Sequence, residues 1–371
     1  MTTTNVSRRY LLAATGGALM GGSIGNRVAA ATLDWTLAKP SEVGFADDLA
    51  ARLDKAVADK RIWNMHAVIV IRGGRLVLER YFDGEDNARG KPLGVVRFGP
   101  DTLHDLRSVS KSIVGLLYGI ALAAGKVPPP EQSLMQSFPE YADLAADPAR
   151  QRWTLHHVLS MSMGMEWDEQ SIPYTDPANS EIAMDRAPDR YRYVLDRPIV
   201  MEPGQRWTYC GGATALLGRI IAKGTGKSLQ DYAREVLFDP LGMGATDWHT
   251  GRDGELIAAS GVRMLPRDLA KIGLLILSDG VWDGRMVAPA EWIKRCMTPV
   301  VPINEIGDYG YQWYIGRRQP FWAAVGNGGQ RLFVSPKLDL VVVTTFGNYD
   351  TPDQSAPPNY ALLDVVMPAM R

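Results

Sequence analysis

Of the eleven lysines in the chain, only Lys111 has a serine three residues before it, within Leu106-Arg107-Ser108-Val109-Ser110-Lys111-Ser112. Positions i and i+3 share one face of a helix. A Ser108 at the N-terminal end of a helix would therefore show its hydroxyl to a cleft, with Lys111 one turn further in and the Ser108 backbone N–H left without a helical partner. A serine hydroxyl is a poor nucleophile until a neighbour takes its proton. A lysine does so only when burial, with a nearby cation or hydrogen bond, brings its pKa down from about 10.4. Ile113, Leu116, Leu117, Ile120 and Leu122 make the following segment broadly apolar and supply that burial. One turn of chain would then provide nucleophile, base and half of an oxyanion hole, the parts needed for acyl transfer. The alternative is a structural helix start with a solvated lysine.

Other reactive residues carry less. Gly21-Gly22-Ser23-Ile24-Gly25 matches the G-x-S-x-G elbow but lies in an N-terminal segment expected to be removed. Gly224-Thr225-Gly226-Lys227-Ser228 ends like a phosphate-binding loop, yet Ile221 stands where its first glycine belongs. Cys210 and Cys296 are too few for a disulfide framework, and Cys210 reads as a packing residue. The five histidines, His66, His104, His156, His157 and His249, show no metal-ligand spacing, so no metal and no cofactor are expected. Glu166, Asp168 and Glu169 form an acidic stretch read as a cap or lobe contact, and Trp167 among them is a candidate for lining an apolar pocket.

The elements that must position Ser108 and Lys111 follow from periodicity. Asp47 to Lys60 carries Leu49, Leu53 and Val57 at helical spacing, and His66 to Phe82 reads as a hairpin around Arg72-Gly73-Gly74-Arg75. A buried helix is expected between Thr102 and Gly125, stopped by the proline run after Val127. Residues 131–300 read mostly as helix and loop, and strand signals return at Tyr309 to Ile315, Gln330 to Val334 and Leu338 to Phe346. The pattern predicts an α+β fold whose antiparallel sheet comes from both ends of the chain. Its α/β lobe would run over about 40–125 and 255–371, with a helical lobe over about 126–254 inserted between and a cleft where they meet. The 371 residues, with 40 Lys+Arg against 41 Asp+Glu and 46% hydrophobic residues, can bury a large core and exclude disorder. A net charge of -1 gives no field to attract nucleic acid or an anionic membrane. Arg8-Arg9 ahead of an apolar run from Leu11 to Ile24, then Val28-Ala29-Ala30-Ala31, is similar to a twin-arginine export signal over residues 1–31, too short to span a bilayer. The processed chain, 32–371, is expected in the periplasm or secreted, without stable membrane insertion.

A second stretch, Glu202-Pro203-Gly204-Gln205-Arg206-Trp207-Thr208-Tyr209-Cys210-Gly211-Gly212, leads into a helical run ending near Ile221. With Ser108-Val109-Ser110-Lys111, the Trp153-to-Met161 helix, Arg267-Asp268-Leu269-Ala270 and Gly326-Asn327-Gly328-Gly329-Gln330, the chain resembles the serine β-lactamase and penicillin-binding protein superfamily. It is most similar to the class C-like branch, which holds esterases, D-aminopeptidases and 6-aminohexanoate-dimer hydrolase. The resemblance implies Ser108 as acylated nucleophile, Lys111 as its proton acceptor and Tyr209 as the phenol that relays protons. It implies the backbone N–H groups of Ser108 and Asn327 as oxyanion donors, and Gly326, Gly328, Gln330 and Trp167 as substrate contacts. Two departures bear on the substrate. The family's Tyr-x-Asn is Tyr209-Cys210-Gly211 here, and its Lys- or His-x-Gly is Ala324-Val325-Gly326, so a β-lactam carboxylate loses its cation unless Arg331 supplies one. The expectation is an exported serine hydrolase of small esters or simple amides. The alternatives are a β-lactamase or D,D-carboxypeptidase, or a non-catalytic penicillin-binding-like sensor.

Overall fold

The computed structural model describes residues 35–317 and 321–371, so the export-like segment and Gly21 to Gly25 lie outside the described residues. Helix α1 (Leu49–Ala58) buries Leu49, Leu53 and Ala56 along one stripe. Strands β1 (Met65–Arg72) and β2 (Arg75–Tyr81) form the expected hairpin. Its two-residue turn is Gly73-Gly74, with φ of 58° and 66°, the left-handed pair that such a turn requires. A second hairpin, β3 (Gly84–Ala88) and β4 (Lys91–Val96), stands apart from the main sheet.

Strand β5 (His104–Asp105) leads into helix α2 (Val109–Ala123), which is buried nearly all round. The helix starts later than its apolar pattern predicts because residues 104 and 105 pair instead with a strand far along the chain. Gly115 and Gly119 let neighbours close on it; a Cβ at Gly119 would lie 1.9 Å from the Trp292 ring. Next come α3 (Leu155–Leu159), α4 (Ser180–Arg186) and α5 (Gly211–Thr225). The Asn179 side chain caps α4 by accepting from the Glu181 and Ile182 N–H groups. Then follow β6 (Asp247–Trp248), β7 (Val262–Met264), α6 (Pro266–Leu277), the small hairpin β8 (Val281–Trp282) and β9 (Arg285–Met286), and α7 (Ala290–Cys296).

The remaining strands are β10 (Val301–Asn304), β11 (Gly307–Tyr309), β12 (Tyr314–Gly316), β13 (Trp322–Gly326), β14 (Gln330–Ser335) and β15 (Leu340–Phe346). They join the first hairpin in one eight-stranded sheet of order β10-β11-β12-β13-β14-β15-β1-β2. Every neighbour is antiparallel. Along β1 the side chains alternate: Val68 and Val70 pack with Leu49, Leu53 and Val365, while Ile69 and Ile71 pack with Val109, Leu332 and Val343. The central strands are thus covered on both faces, with α1 and the C-terminal turns on one side and α2 and α6 on the other. The strand expected from Tyr309 to Ile315 is two strands. Gly310 sits so close to the Cys296 carbonyl that a Cβ would be 2.0 Å away, and Gln312, at φ 65°, turns into the core. There its amide bonds the Thr214 hydroxyl at 2.7 Å and the Leu159 carbonyl at 2.9 Å.

Candidate active site

Ser108 occupies the N-cap of α2, directly after Arg107, whose φ of 50° is strained for a residue that carries a Cβ and marks a forced turn. Arg107 is held there by Asn87 Oδ1 at 2.6 Å and by the Tyr349 ring, whose centroid is 4.6 Å from the guanidinium. One turn in, the buried Lys111 Nζ lies 3.0 Å from Ser108 Oγ and 3.2 Å from the Ala259 carbonyl. Tyr209, just before α5, stands beside Ser108 and Lys111, with its ring centroid 4.8 Å from Lys111 Nζ. Burial above all, and then the Glu169 carboxylate, pushes the Tyr209 phenol well above its ordinary value, so it is a proton-bearing phenol. Ser110 and Ser112 point elsewhere: Ser110 Oγ accepts from the Val262 N–H, and Ser112 Oγ donates to the Gln312 carbonyl.

The position that the Tyr-x-Asn pattern would fill with an amide is taken up by acids. A Cβ at Gly211 would lie 3.2 Å from both Glu169 Oε2 and the Glu181 carboxyl carbon, so this glycine makes room for two buried carboxyl groups. Glu169 Oε2 accepts from Trp167 Nε1 and from the Gly211 N–H, each at 2.6 Å, and Glu181 Oε1 accepts from Ser260 Oγ at 3.1 Å. Burial, then the neighbouring Glu181, pushes Glu169 up to about 7 against the pull of Lys111.

Two chambers meet at the serine. One, of about 550 Å³, is bounded by Arg89, Arg107, Glu181, Asp185 and Arg252; the other, of about 480 Å³, by Glu169, Tyr209, Tyr314, Gly326 and Arg331. Ser108, Tyr174, Thr175, Asn327 and Asp350 border both. Arg331 is only 4% exposed and donates to the Gly326 and Gln330 carbonyls and to Ser355 Oγ. Burial holds it down at about 10, and no carboxylate pairs with it among the described residues.

The fold brings Ser108, Lys111, Tyr209, Asn327 and Gly326 to one junction, and three other expected contacts go elsewhere. Gln330 is fully buried, with its amide bridging the Phe346 backbone and the Asn327 carbonyl, so it braces the turn behind the wall. Gly328, at φ 89°, lies against Tyr349 and donates its N–H to Gln354. Trp167 sits behind Glu169 and orients it. Of the acidic stretch, Glu166 pairs at the surface with Arg197, and Asp168 accepts from the Ser171 N–H. Cys210 is buried and accepts from the Ala213 N–H, a helix cap. The phosphate-loop look-alike is the end of α5 followed by the Ser228 cap of the next helix; a Cβ at Gly224 would lie 2.0 Å from the Lys126 carbonyl. Glu181 carried no sequence signal, since its meeting with Glu169 depends on the Asn179 turn. Likewise His66 and His104 have no local ligand spacing, yet the fold sets them side by side next to Asp86.

A sequence profile of the family described as Beta-lactamase matches residues 49–366. The 6-aminohexanoate-dimer hydrolase of Paenarthrobacter ureafaciens is 26% identical over 322 residues, spanning 80% of this chain and 74% of that protein. The octameric penicillin-binding protein homologue from Pyrococcus abyssi has a similar structure, with a TM-score of 0.63 at 20% identity over 86% of this chain and 77% of that one. EstCE1, a hydrolase with promiscuous acyltransferase activity, gives a TM-score of 0.69 at 16% identity over 86% of this chain and 98% of that one. At these identities the structural likenesses speak for the fold, a large antiparallel sheet flanked by helices.

Proposed function

We propose that this chain, which belongs to the beta-lactamase family and is a serine hydrolase, cleaves a small ester or simple amide through an acyl-enzyme on Ser108. The observation that carries the reading is the 3.0 Å separation of Lys111 Nζ from Ser108 Oγ at the meeting point of two chambers. Lys111 takes the serine proton as Ser108 Oγ attacks the acyl carbon. The negative charge that gathers on the carbonyl oxygen falls to the backbone N–H groups of Ser108 and Asn327. Tyr209 returns a proton to the departing alcohol or amine, and with Lys111 it then draws a proton from the water that releases the acid. The two chambers give separate room to the acyl and leaving portions.

Gly211 lacks the family's amide, and the carboxyl groups of Glu169 and Glu181 crowd that place, which disfavours the acylamino group of a β-lactam and favours simpler substrates. Arg331 motivates the second reading, a β-lactamase or D,D-carboxypeptidase, because it borders the same chamber as Ser108 and pairs with no carboxylate among the described residues. The processed protein acts outside the cytosol, on the strength of Arg8-Arg9 and the apolar run behind them. An Arg8→Lys, Arg9→Lys double variant would then stay in the cytosol, seen by cell fractionation.

Intact-mass spectrometry after a fluorophosphonate, alongside p-nitrophenyl ester turnover, tests the reading. One adduct on Ser108 with steady turnover is expected, and both vanish in Ser108→Ala. Full turnover by that variant would end the proposal. An acyl group held without turnover would favour the sensor, and faster turnover of a chromogenic β-lactam than of any ester would favour the second reading.

A further inference from the structure

Away from the two chambers, the strand that delivers the nucleophile starts in a buried cluster. His66 on β1 and His104 on β5 are both fully buried, and Asp86 on β3 is 6% exposed. His104 Nδ1 lies 2.9 Å from the Asp105 carbonyl oxygen, which can only accept, so Nδ1 carries the proton. His66 Nε2 lies 3.2 Å from Asn64 Oδ1, and the same amide donates through Nδ2 to the Glu85 carbonyl, which fixes its orientation. Nε2 of His66 therefore carries the proton as well. With both outer nitrogens donating, the lone pairs of His66 Nδ1 and His104 Nε2 face each other across 2.8 Å. Asp86 Oδ1 stands 3.9 Å from His104 Nε2 and accepts from the Tyr349 hydroxyl, while buried Asp86 Oδ2 has no partner among the described residues. Two lone pairs and an unpartnered carboxylate oxygen converging in a buried site repel one another unless a positive charge lies between them.

We propose that His66, His104 and Asp86 bind one divalent transition-metal ion of the zinc type. Imidazole nitrogen with carboxylate oxygen suits such ions, and each histidine already donates its other N–H to an oxygen, the outer contact that aims a ligating ring. Around a tetrahedral ion with Zn–N of about 2.0–2.1 Å the two nitrogens would sit roughly 3.3 Å apart, a small opening of the pair. The surroundings are built for it. Phe98 stacks on His66 with centroids 4.0 Å apart, and Gly84 and Gly347 leave space for the Asn64 amide that a Cβ would approach to 2.6 Å and 2.3 Å. Asp105 is already engaged by Arg263 at 2.8 Å and by the Arg89 N–H at 2.6 Å, so Asp86 is the carboxylate that completes the set. The ion ties β1, β3 and β5 together just before Ser108 and props Arg107 through Tyr349. It is a structural clip, and none of its three ligands lines either chamber.

The test uses the full purified chain, dialysed against EDTA and titrated with Co²⁺ and Zn²⁺. One equivalent of Co²⁺ should bind with visible d–d absorption that Zn²⁺ displaces, and Zn²⁺ should raise Tm. His104→Gln and Asp86→Asn should weaken binding at least tenfold by calorimetry. Because these substitutions also threaten folding, Asn64→Gly is the second probe: it suits the left-handed backbone at φ 49°, releases the His66 ring and the Glu85 carbonyl without touching a ligand, and should weaken binding about 10–100-fold. His157→Gln, at a separate half-buried pair, should bind as the parent does. No saturable binding at 100 µM metal to folded, ester-hydrolysing protein would overturn the proposal and leave a proton between the rings. Binding untouched in all three site variants would do the same.

Discussion

Tyr209 carries the question of how protons move at the serine, because its phenol is buried, still protonated and set beside Lys111 and Ser108. Tyr209→Phe keeps the ring beside Lys111 and removes only the hydroxyl, so kcat for a p-nitrophenyl ester should fall about 10²–10⁴-fold with folding intact. A loss under tenfold in steady-state assays would take Tyr209 out of the proton path. Glu169 has a different signature. Its carboxyl is lifted from 4.5 to about 7 on folding, so between those pH values the folded chain holds a proton that the unfolded chain has already released, and stability falls as pH rises through this window. The linkage amounts to roughly 3 kcal/mol once pH exceeds both values. Glu169→Gln should therefore gain on the parent by up to about that much between pH 5 and pH 8 in urea unfolding; parallel stability curves would show that the carboxyl is not strained. Ser108 and Lys111 were legible in the sequence because three residues along a helix fix their meeting. Glu169 with Glu181, and His66 with His104 and Asp86, were not, because turns and strand pairings unreadable from spacing bring them together.

Among the elements, β13 and the segment before α2 touch closely, and Gly326 is the reason they can. A Cβ there would lie 2.3 Å from the Leu106 carbonyl oxygen, backbone that cannot give way cheaply, and 3.0 Å from Gln330 Cβ. Gly326→Ala should push the Leu106-to-Ser108 turn off its place, costing about 1–3 kcal/mol of stability and on the order of 100-fold in kcat, since small displacements at a reacting centre are expensive. Gly99→Ala, whose Cβ would meet only Thr102 Oγ1 at 4.0 Å, is the matched control and should change neither. Thermal melts with ester kinetics on both variants decide it; equal behaviour would mean that β13 does not position the nucleophile. The elements themselves were largely visible in advance: the double-glycine hairpin, the apolar helix after Ser108 and the late strands all carry strong local pattern. What escaped was the break between β11 and β12 and the two-residue β5, where a buried glutamine and a distant pairing overrule periodicity.

Across the whole molecule, the sheet is assembled from both ends of the chain, and what lies between 126 and 254 adds none of its strands, so the larger chamber has to be held by contacts that cross from one part to the other. Arg89, in the turn between β3 and β4, makes several of them. Its side chain donates to Asp185 of α4 at 3.1 Å and to Ser260 at 2.6 Å, and Ser260 in turn donates to Glu181. Burial, then Glu181, pushes Asp185 up to about 6 against Arg89, so the guanidinium is the main counterweight to a crowded acidic wall. Arg89→Met should destabilise the chain by about 1–3 kcal/mol, less than for a fully sealed pair because both partners retain some water contact. It should also raise KM for substrates that fill the larger chamber while leaving Ser108 labelling by a small fluorophosphonate intact. Adding Asp185→Asn removes the uncompensated carboxylate, so the double variant should be more stable than the sum of the single losses by about 0.5–3 kcal/mol. Strict additivity in urea unfolding would mean that the ion pair is incidental and that the chamber is held by the apolar core beneath it.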